Sequence, residues 1–216
     1  ATDALNAFGE VYLKQTLASG VIPQITAIFG TCGGGAALIP TLTDFTFMTA
    51  EGGKLFVNSP NALDGNYQAK LDTASAAYLS ENSSLVDGVF EDDATTLANI
   101  RSLVDMLPDN NMEDAESDCT DDLNRIIPNL DGFAKDARAV LQNIADNNVF
   151  VEVKKDYAKD MVLGLIKWNG ATGGWVANQA ADGGELLSTS GAYIAADFVK
   201  FCDAFNIPVL TLVNAK

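Results

Sequence analysis

Apolar positions recur along this chain with two periods, about 3.6 and 2, and the two alternate. Residues 3–18 carry Leu5, Phe8, Tyr12 and Leu13 on one helical face. An apolar run over 21–29 predicts a strand, and the run from Ala36 to Leu42 fits a helix. Lys54 to Asn58 predicts another strand, which Ser59-Pro60-Asn61 breaks. The alanine-rich stretch 67–88 predicts a helix ended by Gly88. Asp92 and Asp93 are placed to cap a helix through Leu107, with Leu97, Ile100, Val104 and Leu107 inward and Pro108 as its stop. A helix is expected from Ala134 to Ala145, and strands over Phe150–Val153, Met161–Trp168 and Gly174–Ala177. Asn169-Gly170 between the last two is a strong hairpin signal. Tyr193 to Phe205 reads as an amphipathic helix with Ile194, Phe198, Phe201 and Phe205 inward. Pro208 stops it, and Val209 to Val213 reads as a buried strand. Strands alternating with helices indicate an α/β protein.

The segment Gly30-Thr31-Cys32-Gly33-Gly34-Gly35-Ala36 stands between the first strand and its helix. A strand feeding a glycine loop feeding a helix leaves unpaired N–H groups at a helix start, where negative charge is favoured. Such a loop can hold a phosphate or stabilise an oxyanion. The loop lacks the Lys-Ser/Thr of a phosphate loop, and its consecutive glycines fit Gly-x-Gly-x-x-Gly poorly. The chain has no histidine, which removes Ser-His-Asp and Cys-His catalysis and histidine-based zinc sites within it. A close-packed turn without chemistry fits the spacing as well.

Charge narrows the field further. Net charge is −16, from 29 acidic and 13 basic residues, which argues against nucleic acid and anionic lipid as partners. Much of the acidity lies between Asp109 and Asp122, in a polar stretch broken by Pro128, read as an interdomain linker. Its spacing matches no EF-hand loop, and no metal site is expected. Cys32, Cys119 and Cys202 have no metal-ligand spacing, and reduced cytoplasmic thiols are the simplest account. No run of 18 uncharged apolar residues predicts a membrane span.

Longer phrases add a resemblance. Ser19-Gly20-Val21-Ile22-Pro23-Gln24-Ile25, the glycine loop, and Pro40-Thr41-Leu42-Thr43-Asp44-Phe45-Thr46-Phe47-Met48 are similar to segments of the carboxyltransferase subunits of biotin-dependent acyl-CoA carboxylases, of the propionyl-CoA carboxylase β type. Lys54-Leu55-Phe56-Val57, Tyr157-Ala158-Lys159, Val176-Ala177-Asn178-Gln179 and Phe198 through Pro208 resemble later segments of that family, in order. The resemblance implies a crotonase-like fold of repeated strand–strand–helix units, with parts of two tandem domains: residues 1–108 as the later part of the first, 109–133 as linker, and 134–216 as the start of the second. The chain would then be a fragment of a longer subunit.

The implied activity is carboxyl transfer between carboxybiotin and the α-carbon of a short acyl-CoA, through an enolate held by backbone N–H groups. Gly34 and Gly35 are the implied donors, with Gly30, Cys32, Gly33 and Ala36 shaping the substrate side and Asn178 and Gln179 bordering the biotin side. The family uses the biotin ring itself as base. Its second oxyanion pair would fall beyond Lys216. Implied partners are biotin carboxyl carrier and biotin carboxylase components, and further copies of the chain as a dimer or trimer of dimers. A sodium-pumping acyl-CoA decarboxylase or a transcarboxylase runs the same half-reaction, the former with a membrane partner. A non-catalytic scaffold with the same fold, and a hydratase using Glu51, are the other readings. The sequence departs from the pattern at Thr31 and Gly33, where many relatives have Pro and Ala, across Ser188–Ala192, and around Tyr78–Gly88, where the family's histidine is missing.

Overall fold

The computed structural model describes residues 2–62, 72–122, 124–128, 135–182 and 186–214. Contacts divide the chain into two units, Ala1–Ile100 and Arg101–Lys216. The helix expectations that reach into 67–71 and onto Ala134 lie partly outside the described residues.

The first unit starts with helix α1, Thr2–Ala18. Strand β1, Ile25–Ile28, then leads to β2, Thr31–Gly33, and a 3₁₀ helix over Gly34–Leu42. The chain repeats the theme with β3, Phe45–Thr49, then β4, Lys54–Phe56, then α2, Ala76–Asn82. Strand β5, Gly88–Phe90, leads into α3, Asp93–Val104. Strands β1, β3 and β5 form one parallel sheet and β2 and β4 a second. The first two turns of chain each add one strand to each sheet and then a helix, the strand–strand–helix spiral of the crotonase-like fold, and the third adds β5 and α3. Ile28, Ala37, Met48, Leu55, Ala76 and Val86 pack as the core between them.

Several expectations are corrected here. The glycine segment is not all loop: Thr31–Gly33 form β2, in register with Lys54–Phe56. The helix that follows covers the expected Ala36–Leu42, begins two residues earlier at Gly34, and is of the 3₁₀ type. Pro40 lies inside it, and a proline ring there would collide with the carbonyl four residues back in an α-helix. Gly88 does not end a helix; it opens β5, where its bare Cα faces the Phe47 ring. On α1 the sheltered face holds Phe8 and Tyr12, while Leu5 and Leu13 are exposed. On α3, Asp92 caps the helix as expected, accepting from the Thr95 N–H at 2.7 Å. The buried positions are Thr96 and Leu103, however, with Leu97 and Val104 exposed. Thr96 can be buried because its Oγ1 donates to the Asp92 carbonyl, which satisfies its polar atom.

The second unit centres on a four-stranded sheet. Strands β6, Phe150–Val153, β7, Met161–Trp168, and β8, Ala171–Asn178, are antiparallel neighbours. Helix α4, Ala137–Ile144, packs through Ala137 and Leu141 on Val162, Ile166, Trp175 and Ala177. Helix α5, Thr189–Ala204, carries the chain to β9, Val209–Leu212, parallel to β8. The opposite face of the sheet meets α5: a Cβ on Gly174 would lie 2.6 Å from the Cys202 sulfur. The Asn169-Gly170 turn has φ of 52° and 82°, the positive pair that a two-residue hairpin of this hand requires. Strand β9 is at the sheet edge and is exposed rather than buried.

The acidic stretch does not run free of the second unit. Ser117 donates its N–H to the Gly170 carbonyl at 3.0 Å, and Thr172 donates to the Ala115 carbonyl at 3.1 Å. Among the described residues no helix is long and apolar enough to cross a membrane.

Candidate active site

The crossing from β2 into the 3₁₀ helix concentrates the features of an anion-binding loop. Lys54 donates its N–H to the Gly30 carbonyl at 3.0 Å and starts the β2–β4 ladder, which ends at the pairing of Gly33 with Phe56. The i→i+3 pattern makes Ala36 the first donor inside the 3₁₀ helix. Gly34 and Gly35 follow the last residue of β2 and open the 3₁₀ helix. Both are exposed, so an outside acceptor can approach their backbone.

The glycines are there for different reasons. Gly34 has φ +63°, a left-handed conformation that costs other residues roughly 1 kcal/mol. A Cβ on Gly33 would stand 2.9 Å from the Phe56 ring. A Cβ on Gly35 would press on the Phe8 ring at 3.2 Å and the Tyr12 hydroxyl at 3.3 Å. At Gly30 a Cβ would meet open space.

Beside the loop lies a cleft of ≈ 260 Å³ whose wall includes Thr26, Gly30, Cys32, Ala36, Ile39 and Pro40. Burial pushes the Cys32 thiol pKa upward, so at neutral pH it is a thiol and lines the cleft as a small apolar group. The structure thus brings Gly30, Cys32, Gly33, Gly34, Gly35 and Ala36 together.

Asn178 and Gln179 sit in the second unit. Asn178 accepts from the Asn214 N–H at 2.6 Å and donates to its carbonyl at 2.7 Å. Gln179 is buried; its Oε1 accepts from the Ala137 N–H and its Nε2 donates to Asp136. Both side chains are committed to the fold, which spacing in the sequence had no means to show. Glu51 lies exposed in the turn between β3 and β4. Among the described residues no cluster of three metal-ligating side chains occurs. The residue that sequence reasoning missed is Tyr12, whose hydroxyl donates to the Gly35 carbonyl at 2.6 Å.

The carboxyl transferase domain family matches residues 1–216. The chain belongs to that family. It is 38% identical to the propionyl-CoA carboxylase beta chain of Roseobacter denitrificans over 223 aligned residues, covering 98% of this chain and 44% of that protein. It is 35% identical to the methylmalonyl-CoA decarboxylase subunit alpha of Propionigenium modestum, covering 99% of this chain and again 44% of the relative. The fold matches that of the transcarboxylase 12S subunit, solved as a hexamer with hydrolysed methylmalonyl-CoA bound, at TM-score 0.88 and 33% identity over 100% of this chain and 44% of that one. The chain therefore spans less than half the length of these relatives. The carboxyltransferase relatives and the repeated strand–strand–helix topology agree on the crotonase-like fold.

Proposed function

We propose that this chain carries the acyl-CoA side of a carboxyltransferase site in a biotin-dependent enzyme. The observation that carries the reading is the exposed Gly34-Gly35 backbone at the crossing from β2 into the 3₁₀ helix, in a family of carboxyl transferases. In this reading the thioester oxygen of a short acyl-CoA accepts from the Gly34 and Gly35 N–H groups. The biotin ring, freed as its N–carboxyl bond breaks, would take up the α-proton and leave enolate charge on that oxygen, where fixed donors stabilise it without any titrating side chain. Carboxybiotin, borne by a partner protein or domain, supplies the carboxyl carbon that the α-carbon takes up. Gly30, Cys32, Gly33 and Ala36 shape the acyl side, and a small cleft suits a short acyl group. The Asn178-Gln179 turn borders the biotin side by position, since its side chains are bonded internally.

The same half-reaction run backwards removes a carboxyl group, and the similarity to a methylmalonyl-CoA decarboxylase subunit supports that direction equally. The division into residues 1–108, 109–133 and 134–216, the biotin carrier and carboxylase partners, and assembly from further copies belong to the same proposal. The hexameric assembly of the similar transcarboxylase supports the last of these.

The test is carboxyl transfer from methylmalonyl-CoA to free biotin by the full-length subunit. Gly34→Ala places a side chain in open space but at φ +63°, so it disturbs the backbone and little else. It is expected to lower kcat by about 10²–10³. Wild-type activity at the level of the uncatalysed transfer would sink the reading and favour a scaffold.

A further inference from the structure

We propose that Tyr12 is a positioning residue that sets the orientation of the glycine loop for the reaction. The inference rests on the carboxyltransferase reading above and adds a residue to it. Helix α1 contributes no fully buried residue to the core. Its sheltered face is turned to the 3₁₀ helix instead, through Phe8 and Tyr12, one turn apart. Their rings stack with centroids 6.0 Å apart and planes 19° from parallel. Together they close over the bare Cα of Gly35. The Tyr12 hydroxyl then donates to the Gly35 carbonyl at 2.6 Å, at the short end for an O–H···O bond.

Three glycines in a row define their own backbone poorly, because each accepts a wide range of φ and ψ. A peptide unit is planar and trans, so a fixed carbonyl fixes its whole plane. Holding the Gly35 carbonyl therefore restrains ψ of Gly35 and, through it, the angle at which the Gly35 N–H meets an acceptor. The β2–β4 register anchors the loop on one side at Gly33. Tyr12 anchors it on the other, at Gly35. Gly34, with φ +63°, spans the two anchors. The C-terminal end of α1 is itself tied to the sheet entrance, since Gln24 Nε2 donates to the Gln15 carbonyl at 3.0 Å. The aromatic pair is thus held by a helix fixed close to β1.

Tyr12→Phe keeps the ring and its stacking and removes one O–H. In the full-length subunit with its biotin partner, kcat for carboxyl transfer is expected to fall about three- to tenfold, the worth of one hydrogen bond, with KM for acyl-CoA and the thermal midpoint unchanged. Amide hydrogen exchange reads the loop without turnover. It should quicken at Ala36, whose N–H shares the peptide plane of the Gly35 carbonyl, while β1 keeps its protection. Unchanged exchange at Ala36 overturns the proposal, and so does faster exchange with unchanged kcat. A parallel loss of kcat, KM and thermal midpoint also overturns it, because that pattern marks a structural role. A wild-type subunit without transfer activity removes the catalytic reading itself; the exchange result then decides separately whether Tyr12 restrains the loop.

Discussion

Gln179 looks like a loop residue in sequence and acts as a brace in the structure. Its amide joins β8 to the N-terminus of α4, where Asp136 also accepts from the Arg138 and Ala139 N–H groups. The Gln179 amide is the main cause that lowers the Asp136 pKa, and the two backbone donors add to it. A lowered folded pKa means stability that is present above the ordinary value of 3.8 and is lost as pH falls through the folded one. Asp136→Ala is therefore expected to cost about 1–2 kcal/mol at pH 7 in urea unfolding. The gap to wild type should close in acid; a gap independent of pH would assign the loss to packing. Asp44 has the opposite sign. Burial raises its pKa, the Gln24 N–H opposes this, and the nearby Asp87 charge adds to it. Its ionised form thus weighs on the fold at neutral pH, and the cost fades as pH falls through the raised pKa. Asp44→Asn keeps an acceptor for Gln24 and removes the charge. Its thermal midpoint should exceed wild type at pH 7 and converge with it in acid. A mutant less stable than wild type at pH 7 would refute this ordering of causes.

At the scale of elements, legibility follows the strength of the local chemistry. The β7–β8 hairpin is readable because Asn169-Gly170 names its own turn, and the structure uses Gly170 twice. Its φ is +82°, and a Cβ there would lie 1.9 Å from the Ser117 carbonyl. Gly170→Ala should therefore cost more than about 2 kcal/mol, through backbone strain and loss of the Ser117–Gly170 bond. Urea titration with an unchanged slope measures it; a loss under about 0.5 kcal/mol would show that the turn yields freely. The inward face of α3 is not readable in the same way. Apolar spacing favours Leu97 and Val104, whereas a threonine that bonds its own helix can be buried as an apolar residue. The exposure of β9 is equally hidden, because an apolar-rich strand looks alike at a sheet centre and at its edge. The glycine loop is legible as a candidate site from its residues. Its split into β2, a left-handed glycine and a 3₁₀ helix is not, since that follows from pairing with β4, more than twenty residues away. Tyr12 is out of reach for the same reason: nothing in α1 alone says that its hydroxyl ends at Gly35.

For the whole molecule, charge sets the remaining expectation. The chain carries 29 acidic groups against 13 basic ones. Among the described residues, the pairs of Lys54 with Asp72, Lys167 with Asp105 and Lys200 with Asp197 are solvent-exposed on at least one side. Exposed pairs contribute little each and weaken in salt. An unbalanced charge of −16 repels itself at longer range, and that repulsion also weakens in salt. The two effects act in opposite directions, so the salt dependence of stability decides which is larger. Between about 0.01 M and 0.15 M salt the screening length contracts from about 30 Å to about 8 Å. Contacts at hydrogen-bond distance lie inside both lengths, while repulsion across a unit lies between them. The thermal midpoint should therefore rise with sodium chloride over this range. A midpoint that drops with salt would instead mean that local pairs, including Arg138 with Glu152 and Arg125 with Asp121, hold more of the fold than the net charge undoes.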